Sequence, residues 1–223
     1  MATRINNNIN YLTLVRHGQS TYNLENKFTG WKDVELTPKG IKEAKDAVDL
    51  LKKIPIDIAF TSKLKRAQNT LDIILSGLNL NLPITEDERL NERDYGDLIG
   101  QNKAEAAKVY GKDQVQIWRR SYSTPPPSGE SLEMTYNRCV PYFESNILSL
   151  INTRNIIISA HGNSIRAIVK FLLNITEDEI LKTEIGWCEP WIFKFSNNKI
   201  IDLNIKYKKT TNSHLPINVP NII

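Results

Sequence analysis

Cysteine is scarce in this chain of 223 residues: Cys139 and Cys188 are the only two. They are too few for a disulfide framework and lack the CxxC spacing of a metal site, which fits a reducing compartment. No run approaches the ~18 apolar residues that a bilayer-crossing helix needs, and the opening MATRINNNIN lacks the apolar stretch of a secretory signal. These absences predict a cytoplasmic protein with no membrane partner. Charge of one sign is not concentrated either. The net charge is +4, with lysines and arginines scattered and no aromatic-basic ladder for bases, so a small anion is expected as partner and nucleic acid is not. A Walker glycine loop is missing, as is a carboxylate cluster arranged for Mg²⁺, and no metal is expected. Histidine is also rare, at three residues.

What is present is an ordinary globular composition, 40% hydrophobic and 24% charged, undivided by any Pro/Gly/Ser linker. A single domain over 1–223 is predicted, behind a loose polar leader at residues 1–10. Apolar runs at Tyr11–Val15, Asp57–Thr61, Pro83–Glu86 and Ile156–Ala160 read as strands, and Trp191–Phe195 with Lys199–Leu203 as a hairpin. Between them, helical spacing predicts helices over Pro38–Lys53, from Ser62 as cap along the Leu64–Leu78 stripe, over Ala104–Tyr110, Ser131–Ile151 and Ser164–Leu173, and a capping box at Thr176 and Glu179. TYNLENKFTGWKD, the charged stretch Glu88–Lys103 and the rigid TPPP crossing read as long irregular segments. The alternation gives an α/β fold of three layers, a mostly parallel central sheet with helices on both faces. Cys139 falls on a core-facing stripe and His214 in the tail.

Two of the histidines stand at strand exits followed by glycine: LVRHGQS carries His17, and IIISAHGN carries His161. Ligands of open α/β sheets bind at such carboxyl ends. With Arg16 beside His17 and Arg66 in the first turn of a nearby helix, the set suits a phosphoryl group: guanidinium forks bind its oxygens, and an imidazole can attack phosphorus covalently. Arginine and imidazole then supply the charge stabilisation that metals supply elsewhere. Glu92, in the charged loop, is the candidate general acid and base for exchange with a hydroxyl.

The motifs LVRHGQSTYNLENKFTGW, LTPKG, TSKLKRAQNT, LNERDYGDLIGQNK, WRRSYSTPPPSGES and SAHGNSIRA together resemble the 2,3-bisphosphoglycerate-dependent phosphoglycerate mutases of the histidine phosphatase superfamily. The resemblance covers roughly residues 11–182. It implies a phosphoglycerate mutase-like fold and interconversion of 3- and 2-phosphoglycerate in glycolysis, with 2,3-bisphosphoglycerate as priming phosphate donor. By the same matching, His17 is the phosphohistidine nucleophile, His161, Arg16 and Arg66 clamp the phosphoryl group, and Glu92 exchanges the proton. Ser20, Asn23, Thr29, Gly30, Tyr95, Lys103, Arg119, Arg120 and Asn163 then hold the rest of the substrate, under a covering region at about 88–130. A homodimer or homotetramer is compatible with the resemblance.

The chain departs from that pattern in places. Asp94 stands where many members carry histidine, EIGWCEP at Glu184–Pro190 replaces a PTGIP-like segment, and the tail at about 205–223 is unlike the Lys/Ala-rich tail that covers the site in relatives. Water exclusion separates phosphoryl transfer from hydrolysis, so the tail keeps a broad-specificity histidine phosphatase as the alternative. A non-catalytic anion-binding protein is a third reading.

Overall fold

The computed structural model describes residues 9–206, and the tail from 207, with His214, lies outside the described residues. Strand β1 (Ile9–Arg16) begins two residues inside the predicted leader and forms the centre of a six-stranded sheet. The others are β2 (Ile58–Thr61), β3 (Ile84–Glu86), β4 (Ile156–Ala160), β5 (Trp191–Ser196) and β6 (Lys199–Ile205), in the order β3-β2-β4-β1-β5-β6. The first four run parallel and the β5–β6 hairpin joins antiparallel to β1. Side chains on β1 alternate, as the two-residue period of a strand requires. Leu12 and Leu14 face one core with Ile156 and Ile158, while Val15 faces the other with Ile157.

Helices α2 (Pro38–Leu51) and α3 (Lys65–Gly77) cover the Val15 face, whereas α6 (Leu132–Tyr142) and α7 (Gly162–Leu173) cover the Leu14 face. The chain leaves β1 toward one layer and β4 toward the other. The crevice beyond the carboxyl ends of these adjacent strands is therefore a topological switch point, where open α/β sheets place ligands. Close approach of backbone holds that crevice: a Cβ on Gly18 would lie 2.3 Å from the Gly40 carbonyl oxygen, so only glycine lets the first turn of α2 seat against the turn after His17. Thr37 caps α2 by accepting from the Gly40 N–H at 3.0 Å, with Pro38 at the first position.

Four local expectations are corrected. TYNLENKFTGWKD is not all loop, since α1 (Thr21–Leu24) forms with Ser20 and Asn23 as a reciprocal capping box. Ser62 does not cap α3, whose N-cap is Leu64 without a side-chain bond. The predicted Ser131–Ile151 helix keeps α geometry only to Tyr142, then widens into a π turn (Phe143–Ile147) and a 3-10 turn. Pro141 lacks the N–H for the regular ladder, and its carbonyl is taken by Ser145 Oγ at 2.7 Å. Finally, besides the expected helix α4 (Lys103–Tyr110), the 88–130 region contains an unexpected one, α5 (Lys112–Arg120), and the two pack through Leu98, Ala106, Val115 and Trp118 onto Phe28 as a third small core. The capping box at Thr176 starts α8 (Glu177–Lys182) as expected. Cys139 is fully buried in the main core, which pushes its thiol up to about 12. Among the described residues no helix is long and apolar enough to cross a membrane.

Candidate active site

His17 lies directly beyond β1, and its backbone N–H donates to the Ala160 carbonyl at 3.0 Å, tying the exits of β1 and β4 together. Its Nδ1 is 2.7 Å from the Gly18 carbonyl oxygen. A carbonyl only accepts, so Nδ1 carries the proton and Nε2 keeps its lone pair. His161, the N-cap of α7, has its ring centroid 5.0 Å from that of His17, tilted by 58°. Its Nε2 meets Ser62 Oγ at 2.7 Å, which is the place of the serine expected to cap α3. The other nitrogen, Nδ1, is buried without a hydrogen-bond partner among the described residues.

Both imidazoles are held well below the ordinary histidine range. Burial is the largest cause for each, followed by the Arg66 guanidinium; Arg16 adds to the effect at both rings. They are therefore neutral at physiological pH, and a neutral imidazole with a free lone pair can attack phosphorus. A consequence for stability follows from linkage. Below the unfolded pKa of about 6.5 the unfolded chain takes up protons that the folded one refuses, so stability falls as pH drops from about 6.5 toward the depressed folded values. The slope is at most about 1.4 kcal/mol per pH unit per ring. Melting curves between pH 7.5 and 5.5 should show this loss, and His17→Asn should flatten it; an equal slope in the variant would contradict buried neutrality.

Two arginines, Arg66 and Arg16, act on both rings, and a third, Arg93, lines the adjoining pocket. Arg66 is 1% exposed and donates Nη1 to the Lys32 carbonyl at 3.0 Å and Nη2 to the Gly30 carbonyl at 2.9 Å. Burial brings it down to about 10, so it stays charged. Arg16 donates Nη1 to the Ile185 carbonyl at 2.7 Å and lies 5.4 Å from the Trp187 ring centroid. Arg93 donates Nη2 to Tyr95 Oη at 2.9 Å and to the Arg119 carbonyl at 3.2 Å. The Nε–H of Arg16, Arg66 and Arg93 are all buried and unpartnered among the described residues. Buried donors without acceptors are costly, more so on a cation, and an arriving anion's oxygens relieve that cost.

Glu92 opposes them with one oxygen committed and one without a hydrogen-bond partner among the described residues. Oε1 accepts the backbone N–H of Arg93 at 2.8 Å and of Asn163 at 3.1 Å. Oε2 lies near Gly162, with the Arg16 guanidinium on the same side: a Cβ on that glycine would be 3.8 Å from Oε2 and 3.6 Å from Arg16 Cζ. The main chain of Glu92 is pinned at its carbonyl by Trp31 Nε1 at 2.6 Å and Arg138 Nη2 at 2.9 Å.

Of the residues predicted from sequence, Arg16, Glu92, Asn23, Thr29, Tyr95, Lys103, Arg119, Arg120 and Asn163 line one pocket. His17, His161 and Arg66 are buried beside it rather than in its wall. Gly30 and Ser20 are not in the wall either. Gly30 serves through its carbonyl to Arg66, and Ser20 is fully buried and donates its hydroxyl to Asn23 Oδ1 at 3.0 Å, acting through the cap of α1. Asp94 turns away into a loop, where its Oδ1 accepts the Gly96 N–H at 3.0 Å.

The wall also holds residues that sequence reasoning passed over: Lys27, Arg93, Arg166 and Glu184. Arg93 sits between Glu92 and Tyr95 in the same motif, and Arg166 is three residues after Asn163 on α7, so position within the motifs could have found both. Seven cations (Arg16, Lys27, Arg93, Lys103, Arg119, Arg120, Arg166) face two carboxylates (Glu92, Glu184). Such a wall concentrates a polyanion. Burial lowers the Lys103 ammonium from its ordinary value, and it takes Arg166 down to about 10.

The chain is similar to known proteins in sequence and in fold. The sequence pattern of the histidine phosphatase superfamily (branch 1) matches residues 12–204. A protein of Cytophaga hutchinsonii named 2,3-bisphosphoglycerate-dependent phosphoglycerate mutase is 48% identical over 208 residues, 92% of this chain and 97% of its own. One of the same name from Nitrobacter hamburgensis is 51% identical over 189 residues, covering 83% and 91%. Among solved structures, a putative alpha-ribazole-5'-P phosphatase from Escherichia coli superposes with a TM-score of 0.78 at 20% identity, covering 93% of this chain and all of that one. A mycobacterial glucosyl-3-phosphoglycerate phosphatase gives 0.76 at 23% identity, covering 91% and 100%, and these two likenesses establish the fold. The chain belongs to the histidine phosphatase superfamily, and within it to the family of 2,3-bisphosphoglycerate-dependent phosphoglycerate mutases.

Proposed function

We propose that the protein interconverts 3-phosphoglycerate and 2-phosphoglycerate through a phosphohistidine at His17. The observation that carries the reading is the pairing of two buried imidazoles, 5.0 Å apart, beside a cationic pocket where Glu92 Oε2 has no hydrogen-bond partner among the described residues. The residues fit the priming donor that the family requires: three unpartnered Nε–H groups and seven cations suit a ligand with two phosphates and a carboxylate. 2,3-bisphosphoglycerate supplies the phosphoryl group that first loads His17.

His17 Nε2 attacks phosphorus in line while Gly18, holding Nδ1–H, fixes the ring and its tautomer. Arg16, Arg66 and His161 face the equatorial oxygens and stabilise the charge spread over them. Glu92 Oε2 gives a proton to the departing substrate oxygen and takes one from the hydroxyl that attacks in return, its Oε1 anchored by two N–H donors throughout. Arg119, Arg120, Lys103, Asn23 and Asn163 hold the carboxylate and the phosphate that is not transferred. Since both hydroxyl positions must reach His17 in turn, these groups bind a ligand that reorients between half-reactions.

Formation of 2-phosphoglycerate from 3-phosphoglycerate, coupled to enolase and followed with and without catalytic 2,3-bisphosphoglycerate, tests the reading. Strong stimulation by the bisphosphate with little phosphate release is expected. Phosphate release that outruns isomerisation would replace the mutase with the phosphatase reading.

A further inference from the structure

One segment that departs from the family pattern, EIGWCEP, puts a carboxylate into the cationic wall. Glu184 Oε1 pairs with Arg120 Nη1 at 2.8 Å and Oε2 with Arg166 Nη2 at 3.0 Å. The two arginines are held very differently. Arg166, whose side chain is 14% exposed, also donates Nε to the Thr183 carbonyl at 2.7 Å and Nη1 to Asn163 Oδ1 at 3.3 Å, so it keeps its place without Glu184. Arg120, 37% exposed, ends α5 just before the TPPP crossing, and among the described residues its guanidinium pairs with Glu184 alone.

We propose that Glu184 is a displaceable counter-ion, which competes with the anionic end of the phosphoglycerate for Arg120. The proposal rests on the substrate class assigned above. An ion pair between two side chains each more than a third exposed is weak, whereas a phosphate or carboxylate engages arginine through two charge-assisted bonds. Exchange of partners at Arg120 therefore runs toward substrate. Glu184 stays behind on Arg166 and repels the bound anion, so it loosens binding. A ligand that must detach, turn and rebind within one catalytic cycle benefits from such loosening.

The test is calorimetric titration of the purified protein with 3-phosphoglycerate, repeated with inorganic sulfate as a probe that needs no turnover. Glu184→Gln keeps an oxygen to accept from Arg166 but removes the charge, and should bind both ligands about fivefold more tightly. Glu184→Asp keeps the charge and should bind within about twofold of the parent. Equal or weaker binding by Glu184→Gln would overturn the proposal and make Glu184 a brace for the arginines. If the parent protein ignores 3-phosphoglycerate yet sulfate still binds more tightly to Glu184→Gln, the displaceable counter-ion stands and the substrate assignment falls.

Discussion

Replacement of His17 by alanine is expected to lower kcat for the mutase reaction by about 10⁴-fold or more, which corresponds to at least ~5.5 kcal/mol of lost transition-state stabilisation. Among the described residues no other histidine stands at the exit of β1. His161 has Nε2 engaged with Ser62 Oγ and sits behind the exit of β4 rather than β1, and both cysteines are buried. The loss should appear in kcat with or without added bisphosphate, while circular dichroism stays that of the parent, because the ring contributes a single hydrogen bond to its own turn. Residual activity within tenfold of the parent would remove His17 from the chemistry.

The second large effect is expected at Glu92. Glu92→Gln preserves volume and an oxygen that can accept the N–H groups of Arg93 and Asn163, so the loop keeps its path. What it removes is the carboxylate proposed to trade a proton at the Oε2 position. A positioned acid and base typically contributes 10²–10⁴-fold, so kcat should fall about 10³-fold with KM changed little. Steady-state kinetics separates this from a binding role: a risen KM at unchanged kcat would make Glu92 an orienting group only.

The layers of this fold are legible in the sequence because strand and helix periods are clean where both faces of the sheet are covered. IIISA and the Leu64–Leu78 stripe can be read by eye. The two histidines at strand exits also give away the crevice, since the chain holds so few of them. Less legible are the features that depend on contacts between distant segments. Ser62 looks like a helix cap, yet its hydroxyl meets a ring 99 residues away. Helix α5 carries only Val115 and Trp118 as buried residues, too few to show a period, although it delivers Arg119 and Arg120 to the pocket. Arg66 is legible as a site arginine, but the Gly30 and Lys32 carbonyls that receive it, more than thirty residues upstream, are not. Glu184 is visible only as a departure from the family pattern, and its meaning comes from the two arginines that fold against it.

The covalent step is the centre of this account, and one measurement reaches it directly. The protein is mixed with 2,3-bisphosphoglycerate, quenched in alkali, digested and analysed by mass spectrometry for phosphate that is stable to base and lost in acid. That label is expected on His17 and is expected to be absent from His17→Ala. Acid-labile phosphate on His161 instead, or none on the parent protein under conditions of turnover, would contradict it.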